Sequence, residues 1–174
     1  MVFHTKKTIL KEGDILNIDI TTILDGYYAD ASRMYTVGKV APEAQRLVEI
    51  AKECMLVGIE GRFILGLWWE ILVRQLMLTP RPTGCSVVTE LGGHGVGKDF
   101  HEDPYIAHVG MPGTGMLIVP GMVFTVEPMI NAGRFKVTVD KKDGWTVRTK
   151  DHSLSAQWEK TIYVTETGVE VLSS

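Results

Sequence analysis

Cysteine is scarce in this chain: Cys54 and Cys85 are the two it has, and their separation matches neither a metal-ligand pair nor a disulfide framework. A disulfide-stapled scaffold is excluded, and a reduced, cytoplasmic setting becomes the default. Charge of one sign is also lacking. A net charge of −3 on 174 residues gives no electrostatic footprint for nucleic acid or for an anionic membrane surface. Long apolar runs are absent too: the richest stretch, residues 61–84, carries Glu70, Arg74 and Gln75 in its middle and falls short of the roughly 20 apolar residues of a membrane span. No targeting segment, low-complexity tract or linker is visible. The expectation is one soluble, monomeric domain over residues 1–174, long enough to bury a sizeable core.

What the chain does have is acidic residues in apolar settings. Asp14 to Ile23 is rich in β-branched and aliphatic residues, Asp25-Gly26 is a two-residue hairpin turn, and Tyr27 to Val37 can return as the partner strand. With Asp25 and Gly26 in the turn, paired positions sum to 51. Asp30 then faces Thr21, and Asp19 lies two residues along on the same face, a diagonal separation of about 7–8 Å. Two carboxylates so placed repel unless something positive lies between them, and divalent cations would serve. Taken singly, either aspartate reads as a solvated strand residue.

Three further residues change that balance. His94 stands in GGHGVG, where small neighbours let a ligand or metal approach. Glu127 stands among Val123, Phe124, Val126 and Met129, where an ionised side chain costs several kcal/mol unless it is paired or metal-bound. Glu159 closes SLSAQWE. A helix is expected from about Pro42 to Gly58, with Leu47, Ile50, Ala51, Cys54 and Val57 able to share one face, which makes Cys54 a core residue.

In order along the chain, LKEGDILNIDIT, DGYYADASRM, ELGGHGVGKDFHEDP, GTGMLIVPGMVFTVEPMI and DGWTVRTKDHSLSAQWEKT cover well over half of it. With these blocks the chain resembles the type I methionine aminopeptidases, metallopeptidases of the pita-bread fold. The short span from His101 to Glu127 leaves no room for the insertion of the type II enzymes. The resemblance implies an α+β fold, a curved antiparallel sheet with flanking helices, whose two halves are related by a pseudo-twofold axis. It implies two divalent metal ions, cobalt, manganese, iron or zinc. Asp19, Asp30 and Glu159 would hold one, and His94 and Glu127, with Asp30 and Glu159 bridging, the other. Glu127 would also accept a proton from the attacking water, and His101 would hydrogen-bond the substrate carbonyl. Phe100 and Trp145 match positions lining the methionine pocket, although core packing is the ordinary reading of an aromatic residue. The implied substrates are nascent polypeptide N-termini, met near the ribosome.

The chain also departs from the family. Its N-terminal part is expected to be missing, including a VCHGIP-like block. Counting back from Asp19, that block's histidine falls on Met1 and its Gly-Ile-Pro on Val2, Phe3 and His4, so His4 takes no role. Written as ATG GTA TTC CAT AC and read one phase over, the same bases give Gly-Ile-Pro. Residues 61–84, GRFILGLWWEILVRQLMLTPRPTG, fit no amphipathic helix, yet the same shift from Leu67 onward can encode VVGDIGKAIDAYAKANG. Frameshifts at about residues 1–4 and 61–84 are therefore expected, with a complete ligand set but little turnover in the chain as written. Two other readings are an inactive pita-bread homologue acting as a binding module and an Xaa-Pro aminopeptidase or prolidase. The first would be favoured by loss of a ligand, and the second shares the ligands but not TKDHSLSAQWE.

Overall fold

The structure, a computed structural model, describes residues 9–60, 84–110 and 116–173. The expectations at residues 1–4 and 61–83 lie outside these. The first element is the expected hairpin: β1 (Ile15–Leu24) and β2 (Tyr27–Thr36) pair antiparallel, with Thr21 opposite Asp30 and Asp19 opposite Ser32. Its turn residues Asp25 and Gly26 both have positive φ, 51° and 82°, the pair of conformations that matches the twist of a two-residue hairpin.

Helix α1 (Pro42–Glu60) follows. Pro42 occupies the first turn, where its missing N–H costs nothing, and the Ala41 carbonyl accepts from both Ala44 and Gln45 N–H at 3.0 Å. Its buried face is Ala44, Leu47, Val48, Ala51, Cys54, Met55 and Ile59. Ile50 and Val57 reach only the margin of that face, being half-buried. The buried stripe is thus rotated toward Val48 and Met55 from the one expected.

Short strands make up the rest: β3 (Ser86–Val87), β4 (Gly92–Gly95), β5 (Glu102–Ala107), β6 (Val123–Val126), β7 (Met129–Asn131), β8 (Val137–Val139), β9 (Val147–Thr149), β10 (Ser155–Gln157), β11 (Glu159–Val164) and β12 (Val169–Val171). The main sheet runs β1-β2-β11-β6-β4-β5, with β12 added to β11. Smaller sheets are β10-β7-β3 and the β8-β9 ribbon, and every pairing is antiparallel.

Period-two alternation assigns the two faces of the main sheet. Phe124, Val126, Ile162 and Val164 point into one core with Met55 and Ile59 of α1. A second core joins Leu47, Val48, Ala51 and Cys54 to Met34, Val87, Ile130 and Ala156. The residues between, Thr125 on β6 and Glu159 and Thr161 on β11, turn to the opposite face, where the acidic residues gather. Among the described residues no helix is long and apolar enough to cross a membrane.

Candidate metal centre

One pocket of about 1230 Å³ opens on that second face. Asp19, Asp30, His94, Glu127 and Glu159 all line it, together with Phe100, His101, Tyr105 and Trp145. Each acidic residue arrives on a different segment: Asp19 on β1, Asp30 on β2, Glu127 directly after β6, and Glu159 at the start of β11. Asp30, Glu127 and Glu159 are buried. No Lys or Arg among the described residues lines this pocket.

The local hydrogen bonds fix orientation and leave ligand atoms open. The Asp30 main chain is clasped by Thr161, whose Oγ1 accepts from Asp30 N–H at 3.0 Å and donates to Asp30 O at 2.8 Å. Asp30 Oδ1 accepts from Thr21 Oγ1 at 3.1 Å. His94 Nδ1 lies 2.9 Å from the Gly95 carbonyl, so Nδ1 carries the proton and Nε2 turns its lone pair toward Asp30 Oδ2 at 3.9 Å and Glu127 Oε1 at 3.8 Å. Glu127 accepts from Thr125 Oγ1 on one oxygen and from Gln157 Nε2 on the other, both at 2.8 Å. Ligating atoms of Asp30, His94 and Glu159 all lie within 4.8 Å of one another.

Electrostatics give this arrangement its meaning. Burial, then the charge of Asp30, pushes the Asp19 carboxyl up to about 6. Burial raises Glu127 to about 8 against the Thr125 hydrogen bond, with the charges of Asp19 and Asp30 adding to the rise. Glu159 is raised furthest, by burial and then by Glu127, Asp30 and Asp19. Four carboxylates without a balancing cation must hold protons or metal. Asp19 Oδ1 is buried with no hydrogen-bond partner among the described residues. Four carboxylates, one with an orphaned oxygen, and one imidazole Nε2 fit divalent cations.

Residues 1–166 match the model of metallopeptidase family M24. The chain belongs to metallopeptidase family M24. Among curated M24 relatives, methionine aminopeptidase A of Synechocystis is 46% identical over 97% of this chain and 66% of its own length. The methionine aminopeptidase of Escherichia coli is 43% identical over 95% of this chain and 62% of its own length. The chain therefore spans less than two thirds of these relatives. The crystal structure of methionine aminopeptidase from Rickettsia prowazekii superposes with a TM-score of 0.88 at 48% identity, covering 93% of this chain and 65% of that one. A prolidase from Pyrococcus furiosus reaches a TM-score of 0.69 at 22% identity over 95% of this chain and 42% of that one, a likeness of fold alone. The pita-bread fold follows from these superpositions and from the antiparallel sheet.

The remaining expected residues of this M24 chain sit around the mouth. His101 is exposed, its ring 4.2 Å from that of His94 and 4.0 Å from that of Phe100, and burial followed by the His94 charge lowers its pKa. Phe100 is half-buried and stacks on Tyr28 at 6.0 Å. Trp145 is 55% exposed on the β8–β9 turn, so core packing does not account for it. The glycines beside His94 do something other than expected. A Cβ at Gly93 would collide with the Thr125 carbonyl and one at Gly95 with that of Asp103, so their smallness admits neighbouring strands rather than a ligand.

Sequence reasoning passed over Thr125, Gln157, Tyr105 and His108. The signal for the first was present, because Thr125 lies two residues before Glu127 on a strand and so shares its face. His108 left no such trace: it is fully buried, accepts the Glu127 N–H through Nε2 at 3.2 Å, and is held neutral by burial, which pushes its pKa down to about 3.

Proposed function

We propose that this M24 chain is a dinuclear-metal aminopeptidase directed at the N-terminal methionine of nascent chains in the cytoplasm. The observation that carries this reading is the convergence of four carboxylates and one open imidazole Nε2 on the floor of an aromatic-rimmed pocket. Asp19, Asp30 and Glu159 would hold one ion, and His94 and Glu127 with the carboxylates of Asp30 and Glu159 the other. Cobalt, manganese, iron and zinc all suit such donors. Divalent cations held there would supply Lewis-acid activation of water and of the scissile carbonyl.

The chain's own groups do the rest. The carboxylate of Glu127, held on the pocket floor by Thr125 and Gln157, takes up the proton released by the attacking water. His101, neutral at working pH, donates its ring N–H to the carbonyl oxygen as negative charge grows there. Phe100 and Trp145 offer apolar walls to an unbranched side chain such as methionine. Divalent cations held on that floor would also anchor the free α-amino group of the substrate, which suits an exopeptidase site.

The test is calorimetric titration of the metal-free chain with manganese or cobalt, followed by assay of methionine release from Met-Ala-Ser. Two ions are expected per chain, with release from the free peptide and none from its Nα-acetylated form. The rate should fall below that of a full-length methionine aminopeptidase, because positioning groups in the unmatched third of the relatives contribute there. Failure to bind metal, or a preference for Xaa-Pro dipeptides, would overturn the proposal.

A further inference from the structure

We infer that Thr125 is a positioning residue that couples two candidate ligands, holding the main chain of His94 and the carboxylate of Glu127 through a single hydroxyl. The inference rests on the reading of the metal cage given above. Thr125 is fully buried on β6, directly opposite Thr161 of β11. Its Oγ1 accepts from His94 N–H at 3.1 Å and donates to Glu127 Oε1 at 2.8 Å. A threonine hydroxyl has one proton and two lone pairs, so with the backbone N–H on one lone pair its proton is free to go to an ionised Glu127.

The strand geometry explains why a side chain is needed here. β4 meets β6 in register at Gly95 and Phe124, and Val96 N–H reaches Val123 O at 3.3 Å. At His94 the N–H that would continue the ladder turns to the Thr125 hydroxyl instead. A buried N–H must find an acceptor, so loss of that hydroxyl frees the ligand-bearing end of β4. Gly93 permits the approach, since a Cβ at that position would overlap both the Thr125 carbonyl and its Oγ1. Gln157 holds the second oxygen of Glu127 but makes no bond to His94, so only Thr125 ties the two together among the described hydrogen bonds.

The residue across the ladder serves a different candidate ligand. Thr161 is equally buried, yet its hydroxyl bonds only the main chain of Asp30, through N–H and carbonyl. Thr161 therefore acts on one candidate ligand through its main chain alone, whereas Thr125 acts on two and touches a ligating carboxylate directly.

The experiment uses the full chain stripped of metal and titrated with cobalt, with affinity read by calorimetry and ligand field by visible absorption. Thr125→Val is expected to weaken cobalt binding by about 10–100-fold and to shift the absorption envelope, as loss of an outer-shell partner does. Thr125→Ser should recover most of both, and Thr161→Val, which removes main-chain support from Asp30 but touches no ligating oxygen, should weaken binding less than Thr125→Val. If Thr125→Val does not fold, Thr125→Ala carries the same expectation. Wild-type affinity and an unchanged envelope in the folded variant would overturn the inference. Absence of binding in the wild-type chain would instead remove the cage reading on which it rests.

Discussion

The two halves of the main sheet present the same polar face and are supported in opposite ways. In the first half β2 gives Asp30 and β1 gives Asp19. In the second, β11 gives Glu159 and the end of β6 gives Glu127. β2 pairs with β11 where the halves meet, β1 flanks β2, and β4 and β5 extend the second half beyond β6. Behind the second half, Phe124, Val126, Ile162 and Val164 are sealed in a core with α1. Behind the first, Ile20 is 57% exposed and Leu24 76% exposed, with Ile18 and Tyr35 also open to solvent. The lesson is that candidate donor atoms can converge on one face while, among the described residues, only half of the sheet that carries them stands on a packed foundation.

The hardest test of that comparison is to remove the proton acceptor from the well-supported half. Glu127→Gln, made in the metal-loaded chain with the family's N-terminal block and helix restored, is expected to cut methionine release by roughly 10²–10⁴-fold, the range for loss of a positioned acid-base group. Circular dichroism should be unchanged. Turnover close to wild type would mean that Glu127 handles no proton.

Removing the foundation itself comes next. Phe124→Ala opens a cavity in the sealed core and is expected to cost about 3–5 kcal/mol in urea unfolding. Ile20→Ala, on the open face, should stay within about 0.5 kcal/mol. Similar losses at the two positions would erase the difference between the halves.

Titration separates the halves without touching either foundation. The folded-state pKa values of Asp19 and Glu127 are raised, to about 6 and about 8. A group raised in this way stabilises the metal-free fold below its unfolded pKa, and that contribution is lost as pH climbs through the folded value. Metal-free stability is therefore expected to fall from about pH 4 to pH 8, whereas the metal-loaded chain holds steady because ionised carboxylates are what the cations bind. Glu127→Gln should flatten the metal-free profile more than Asp19→Asn, since its shift is larger. Thermal melts across that range, with and without manganese, give the comparison directly. A metal-free stability that rises with pH would reverse the sign and exclude the crowded-carboxylate account.

Much of the first half was legible in the sequence because its determinants are local. Asp25-Gly26 fixed the turn, the turn fixed the register, and the register put Asp19 and Asp30 on one face. The second half was less legible. That Glu127 sits in apolar company could be read, but not that Thr125 and Gln157 hold its two oxygens, because Gln157 reaches it from another strand 30 residues away. Pro42 gave α1 its start and periodicity put Leu47, Ala51 and Cys54 on its buried face, but not Val48 and Met55, whose burial depends on the strands packed against them. The glycines around His94 were read as space for a ligand, whereas the long-range approach of β5 and β6 fills that space.

The smallest effect concerns the open face alone. β1 is an edge of the main sheet, and its outward row of Ile18, Ile20 and Leu24 contains no lysine or proline to discourage pairing with another strand. A charge placed there should cost almost nothing if water is the neighbour in solution, and it should make edge-to-edge association less favourable. Ile20→Lys is accordingly expected to change unfolding free energy by less than about 0.5 kcal/mol. It should also reduce the apparent mass seen by light scattering at high protein concentration, with metal affinity unaltered because the side chain points away from Asp19. A loss well above that figure would mean that this face is packed in solution, and the first half would then rest on a foundation as firm as the second.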